Sequence, residues 1–439
     1  MLLSKNFEKF CNDIKLDTLD DMKRTAGEIA KKLNNHYYDL SCDTYSHMYI
    51  VGSVGRKTAI AGNSDLDLLF DLPNEVYKQY NDYGSNGQSA LLQDVKKVLF
   101  KRYPNTSISG DGQVVVIAFN KYTVELVPGF KQSDSTFKYP DTHNGGSWKY
   151  TNPLIEQLEC CNCNINSNEI YYDFCHIIRA WKNTIGFKMG GLLIDTLIYN
   201  FFQNNDNFSG SDSNDYLQIL TDLFKYLKDQ NPNQNYWYAV GSKQQVNNSD
   251  NGVFVTKAQK AYTKLSKAIK ATPCINNALR ELLGKNFPKR ETDDDSNLND
   301  SILENYKSNN TEEIIEELFP VDIRYDLQID CMVTRAGWRS FYLREFLRAK
   351  KGCLHHHNKL EFFILSTDCP KPYEIYWKVR NIGSEAIRRN MIRGQINKTN
   401  LSKQFEHTDF AGQHYVECYL IKHGVCVARA HIDVPIGWD

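Results

Sequence analysis

Apolar residues three and four apart, with charges between them, run from residue 5 to 35; Phe7, Phe10, Ile14, Leu19, Met22, Ile29 and Leu33 predict one or two opening helices. The period then shortens. His47 to Val51 reads as a brief apolar strand broken by Gly52-Ser53, and after a polar turn at 62–64 the stretch DLDLLFD alternates as a second strand, ended by Pro73. Leu91 to Tyr103 predicts a helix, and Val114–Phe119 and Tyr122–Val127, parted by Asn120-Lys121, predict a hairpin. From about 170 to 285 the spacing is helical again, as in YYDFCHIIRAWKN and LLIDTLIYNFF, which predicts a helical subdomain packed on the sheet. Residues 290–310 are polar and acidic with little to bury, so they predict a linker, with a boundary near 320. Beyond it DLQIDCMV, KLEFFIL, YEIYWKV, HYVECYLI and VCVARAHIDVPI alternate with period two and predict a mostly β domain, a sandwich.

The expected class is therefore α+β: a core with a helical subdomain over 1–290, a linker over 291–320 and a mostly β domain over 321–439. A length of 439 residues exceeds what one hydrophobic core usually organises, which agrees with two domains. The 52 Lys and Arg nearly balance 53 Asp and Glu, which argues against a whole surface built for a nucleic-acid polymer. Neither a secretory leader nor a membrane-length apolar run stands out, so no membrane association and a cytoplasmic location are expected. The 12 cysteines include Cys160, Cys161 and Cys163, but no Cys/His pair follows at zinc-site spacing, and reduced thiols are expected.

The chemistry concentrates around GSVGRKTAIAGNSDLDLLF. Residues two apart on a strand share a face, so Asp65 and Asp67 project together, about 6–7 Å apart, while Leu66, Leu68 and Phe70 turn to the core. Two carboxylates side by side repel unless a cation lies between them. Glu125 in KYTVELVPGF sits on an apolar strand; if that strand lies beside the first, Glu125 completes a cluster suited to divalent ions and two-metal phosphoryl transfer. Gly52 lets a backbone approach phosphates, and the Ser53 hydroxyl with nearby amides can bond their oxygens. Arg56, with Lys57 and Thr58, follows closely enough to add positive charge there. A lone DLD would usually be only a solvated strand face; Gly-Ser upstream and a carboxylate inside an apolar strand are what that reading leaves unexplained.

GS, SDLDLLF and VELVP together resemble the polymerase-β-type nucleotidyltransferases, and over roughly residues 30–290 the chain is similar to the bacterial cyclic-oligonucleotide synthases called SMODS or CD-NTases. The resemblance implies a polymerase-β-like core, Mg2+ (or Mn2+) on Asp65, Asp67 and Glu125, and ribonucleoside triphosphates as substrates. It further implies a cyclic di- or trinucleotide product, released pyrophosphate, and a product-activated effector protein in antiphage defence. Many relatives carry Asp where Glu125 stands, a departure that lengthens this ligand's reach. The family pattern puts Lys182 of FCHIIRAWKN, three residues from Arg179 on one helical face, at the triphosphate or base; Trp148, Lys149 and Asn152 could line the nucleotide cleft. The alternatives are a template-independent transferase acting on RNA or another macromolecule, and a catalytically inactive nucleotide sensor.

Residues 321–439 resemble the AGS-C domain through PYEIYWKVRNIGSEAIRRNMIRGQI and GQHYVECYLIKHGVCVARAHIDVPI, which implies a sensor of an unidentified ligand. Arg335 to Lys403 holds 15 Lys and Arg against 5 Asp and Glu, interleaved with Trp338, Tyr342, Tyr373, Tyr376 and Trp377. That mixture allows a polyanion surface, although aromatics in alternating strands also build cores. His355, His356 and His357 are consecutive and so do not face one way, which argues against a metal site from these three alone.

Overall fold

The computed structural model describes residues 2–41, 45–62, 65–204, 208, 210–270, 275–289, 312–349 and 352–437. The chain divides into two compact units, residues 1–184 with 189–288, and residues 185–188 with 289–439.

The first unit is built on a mixed sheet. Its strands are β1 (Met48–Ile50), β2 (Asp65–Asp71), β3 (Ser107–Asp111), β4 (Val114–Ala118), β5 (Thr123–Lys131), β6 (Phe137–Asp141) and β7 (Ser147–Thr151). Spatial order is β1-β2-β5-β4-β3, and β6 pairs with both β5 and β7. The β2–β5 pair is parallel and the others are antiparallel. Helices α1 (Leu2–Asp13) and α2 (Leu19–Tyr37) open the chain, α3 (Gly52–Gly55) is a single turn after β1, and α4 (Asn74–Asn81) and α5 (Gly87–Phe100) follow β2. Leu66, Leu68 and Phe70 of β2 and Val124 and Leu126 of β5 share one core with Met22, Ala26 and Ile29 of α2 and Leu91, Val95 and Leu99 of α5. Burying such side chains contributes roughly 1.5–3 kcal/mol each, so these helices cover one face of the sheet and leave the other for chemistry.

The predicted helical subdomain comprises α6 (Pro153–Asn166), α7 (Ile170–Ile185), α8 (Gly191–Gln203), α9 (Tyr216–Lys228), α10 (Val253–Lys270) and α11 (Ile275–Leu283), with a small hairpin of β8 (Tyr236–Tyr238) and β9 (Gln245–Asn247). Trp181 of α7 and Phe224 of α9 pack edge to face, 5.0 Å between centroids. Cys160 and Cys163 are buried in α6 and Cys161 is half-buried; all three are free thiols. No described helix is long and apolar enough to cross a membrane.

The second unit is a sandwich of two four-stranded antiparallel sheets, in the orders β11-β10-β12-β15 and β14-β13-β16-β17. The first sheet holds β10 (Leu327–Thr334), β11 (Phe341–Tyr342), β12 (Lys359–Thr367) and β15 (Lys403–His407). The second holds β13 (Glu374–Arg380), β14 (Arg393–Lys398), β16 (Gly412–Lys422) and β17 (Val425–Ile436). Ile329, Cys331, Leu360 and Phe362 from one sheet meet Trp377, Cys418, Leu420 and Val427 from the other in one core. Most of the expected linker lies outside the described residues, but 312–320 do not behave as one. Ile315 is buried with Val321, Ile323 and Ile396. Glu312 accepts from Lys378 and Tyr415, and Glu313 from the Ile396 N–H. Gly394 accommodates this segment because a Cβ there would stand 2.9 Å from the Glu312 Cα.

Candidate active site

On the sheet face away from α2 and α5, β2 presents Asp65 and Asp67, both half-buried. β5 runs parallel beside it in a register that pairs Asp67 with Glu125 and Asp65 with Thr123. Parallel neighbours lie about 4.8 Å apart, so Glu125 stands beside Asp67, on the same face, one pleat from Asp65. The Val51 N–H donates to the Asp67 carbonyl at 2.9 Å, which starts the Gly52-Ser53 turn directly against that face.

Gly52 has φ +62°, and a Cβ added to it would lie 1.7 Å from Oδ2 of Asp67. Only glycine fits without displacing the carboxylate. Ser53, half-buried, occupies the same turn. The backbone thus brings Asp65, Asp67, Glu125, Gly52 and Ser53 to one place. Among the described residues no group of three His, Cys, Asp or Glu side chains is placed to hold a metal ion; the backbone register is what brings the three carboxylates to one face. Three carboxylates on one face are the hard-oxygen donors that Mg2+ or Mn2+ takes, and the cradle that a Gly52 Cβ would fill keeps room beside them. Those residues fit such an ion.

A direct prediction concerns Gly52→Ala. The αL backbone costs Ala about 1 kcal/mol, a modest loss in a urea melt, whereas a carboxylate pushed aside by an ångström costs turnover on the order of 100-fold. Equal turnover in Gly52→Ala and wild type would remove Asp67 from the chemistry.

Behind the turn lies a buried ion cluster, and it claims Arg56. Arg56 follows α3 and was expected at the phosphates; it is 5% exposed and its Nε donates to Oδ2 of Asp195 at 2.9 Å. Its Nη1 reaches Glu156 at 3.3 Å. Arg179 grips the same Asp195 through Nη1 (2.6 Å) and Nη2 (2.9 Å), and the Thr58 hydroxyl adds a bond at 2.9 Å. Glu156 also accepts from Ser242 at 2.8 Å. Burial alone would raise the Asp195 pKa, but Arg179 and Arg56 outweigh it and hold the carboxyl at about 2. Arg56 is therefore a tie between the Gly-Ser turn and helices α6, α7 and α8, because a guanidinium this deep needs carboxylates and finds them.

His176, one turn before Arg179, donates from Nε2 to the Lys57 carbonyl at 3.1 Å, and its buried Nδ1 has no hydrogen-bond partner. Burial, then the charge of Arg179, pushes its pKa down to about 4. In the unfolded chain His titrates near 6.5, so the unfolded state binds the extra proton first as pH falls. The neutral histidine's contribution is fully present above pH 6.5 and is lost towards pH 4. Between pH 7 and 5 it removes about 2 kcal/mol of stability. Urea melts at the two pH values should show His176→Gln losing less than wild type; parallel losses would contradict the assignment.

Other expected cleft residues are placed as follows. Lys182 is 6% exposed on α7. Trp148 packs against Tyr77 (5.1 Å) and Phe130 (5.7 Å), Lys149 pairs with Asp141 at 2.5 Å, and Asn152 caps α6 by accepting from the Ile155 N–H. Each of these last three is committed to the fold. Asp195, Glu156 and His176 went unnoticed in the sequence; the signal for Asp195 was one carboxylate inside the apolar run LLIDTLIYNFF.

Residues 1–164 match the Second Messenger Oligonucleotide or Dinucleotide Synthetase (SMODS) domain, and residues 309–437 match the Adenylyl/Guanylyl and SMODS C-terminal sensor (AGS-C) domain. Together they cover more than half of the chain, and the second match includes the 312–320 segment. No curated protein matches the chain. Among solved structures it is similar to Escherichia coli MS115-1 CdnC in complex with HORMA-deltaN, at 15% identity and TM-score 0.52 over 65% of this chain and 98% of that one. CdnC with ATP gives 16% identity and TM-score 0.50 over 65% and 98%. This likeness shows the fold, a polymerase-β-like core. A SMODS domain at the start of the chain and an AGS-C domain at its end place the protein in the bacterial CD-NTase family of nucleotidyltransferases.

Proposed function

We propose that the chain condenses ribonucleoside triphosphates into a cyclic di- or trinucleotide, releasing pyrophosphate at each step, as the signal that activates a separate effector in antiphage defence. The observation carrying this reading is the parallel β2–β5 register that sets Glu125 beside Asp67, against a glycine whose Cβ would displace the Asp67 carboxylate. The SMODS match supports it, and the similar CdnC has been captured with ATP.

In this reading Asp65, Asp67 and Glu125 hold Mg2+ or Mn2+, which when bound lowers the pKa of the attacking ribose hydroxyl and neutralises charge on the triphosphate. Glu125 orients that hydroxyl towards the α-phosphorus and accepts its proton as the new P–O bond forms and the bond to pyrophosphate breaks. Gly52 admits the phosphates, and Ser53 with the amides of its turn bonds their oxygens. Lys182 is assigned to the triphosphate or base.

The test incubates the full chain with labelled ATP, GTP, CTP and UTP and Mg2+ or Mn2+, removes terminal phosphates with phosphatase, and identifies the products by mass spectrometry. A phosphatase-resistant cyclic product, lost in Asp65→Ala/Asp67→Ala, is expected. Only linear or polymer-attached nucleotide would overturn the cyclic product in favour of a tailing activity.

A further inference from the structure

The fold sorts the aromatics interleaved with the basic residues between Arg335 and Lys403. Trp377 lies in the sandwich core, and Tyr373 and Tyr376 pack against buried clusters. Trp338 stays 73% exposed and Tyr342 41%. Both belong to the β10–β11 edge of the first sheet, and its outer face gathers more of the same chemistry. Register sets Tyr342, Met332, Glu361 and Phe405 in one row across the four strands, and Phe363 in the next row on the same face, between Asp330 and Lys403. Phe405 is 63% exposed although it lies in a strand, and the Phe363 ring is 6.2 Å from Tyr342.

Positive charge frames these rings. Arg335 lies over Trp338 at 6.0 Å, and Arg339 and Lys359 are exposed. Lys403 pairs with Glu361 across β12 and β15. Two carboxylates share the face: Asp330 is buried and accepts the N–H groups of Cys331 and Arg344, and Glu361 is taken up by Lys403, so the exposed Arg339 and Lys359 carry the positive charge there. Globular proteins seldom leave several large aromatics together on an open sheet face without a partner. Flat rings on adjacent strands offer stacking surfaces for unpaired bases, and the surrounding cations match a phosphate backbone.

We propose that the outer face of this sheet binds single-stranded nucleic acid, with bases stacking on Trp338, Tyr342, Phe363 and Phe405 and phosphates meeting Arg339 and Lys359. The assignment is independent of the chemistry proposed for the first unit.

The experiment is fluorescence anisotropy of the full chain with labelled oligo-U and oligo-dT of roughly 12 nucleotides, a length single-strand binders cover. Binding should weaken as salt rises from about 50 to 200 mM. Phe405→Ala and Trp338→Ala should each weaken it roughly 5- to 150-fold, the worth of one stacked base. Lys359→Glu should also weaken it, and Lys398→Glu on the other sheet should change nothing. All four side chains are exposed, and circular dichroism checks that the variants fold. Absence of binding at the lower salt, equal binding of a duplex, or binding that survives the aromatic substitutions would each overturn the proposal.

Discussion

Asp67→Asn should abolish nucleotidyl transfer while leaving the fold intact. Asn keeps the shape that lies against Gly52 but removes the charge beside Glu125 and Asp65. Holding a divalent ion contributes several kcal/mol of transition-state stabilisation, and at 1.36 kcal/mol per tenfold its loss lowers turnover on the order of 1,000-fold. The same substitution relieves repulsion between neighbouring carboxylates, so the urea midpoint should hold or rise. Loss of activity with unchanged or greater stability separates a catalytic role from a structural one. A variant that is both inactive and destabilised would point to a structural carboxylate, and one that remains active would dismiss the site.

Asp195→Ala should do the reverse and damage the fold first. Asp195 is fully buried and accepts from Arg56, Arg179 and Thr58. Removing it leaves two guanidiniums in the interior with one carboxylate, Glu156, within reach of Arg56. Breaking a buried pair by deleting one partner costs roughly 3–5 kcal/mol, a large share of a domain's stability. Arg56→Met combined with Asp195→Ala should cost less than the sum of the two, because each alone strands the other's charge. Strict additivity in urea melts would mean that the cluster does not act as a unit.

The sequence made much of this legible, and the limits have physical causes. DLDLLFD alternates cleanly, so the face shared by Asp65 and Asp67 could be read from period alone. That Glu125 stands beside Asp67 could not, because a parallel pairing between strands separated by two helices and a hairpin is a long-range event. Arg56 beside the Gly-Ser turn looks like a phosphate ligand in one dimension. In three, Asp195 and Glu156 arrive from distant helices and take its charge. Helix α6 was not anticipated because Cys and Asn dilute its apolar spacing, and β14 and β15 were missed because they are short and largely polar. The segment 312–320 read as linker, yet Ile315 and the carboxylates of Glu312 and Glu313 anchor it to the second unit.

In the proposed function Asp65, Asp67 and Glu125 together hold the divalent ions of a nucleotidyltransferase. Electron paramagnetic resonance titration of Mn2+ into the full chain with a non-hydrolysable triphosphate tests it most directly. Bound Mn2+ is expected in the wild type, and its loss in Asp65→Asn/Asp67→Asn, with the variant still folded. Equal Mn2+ binding by the two proteins would contradict it.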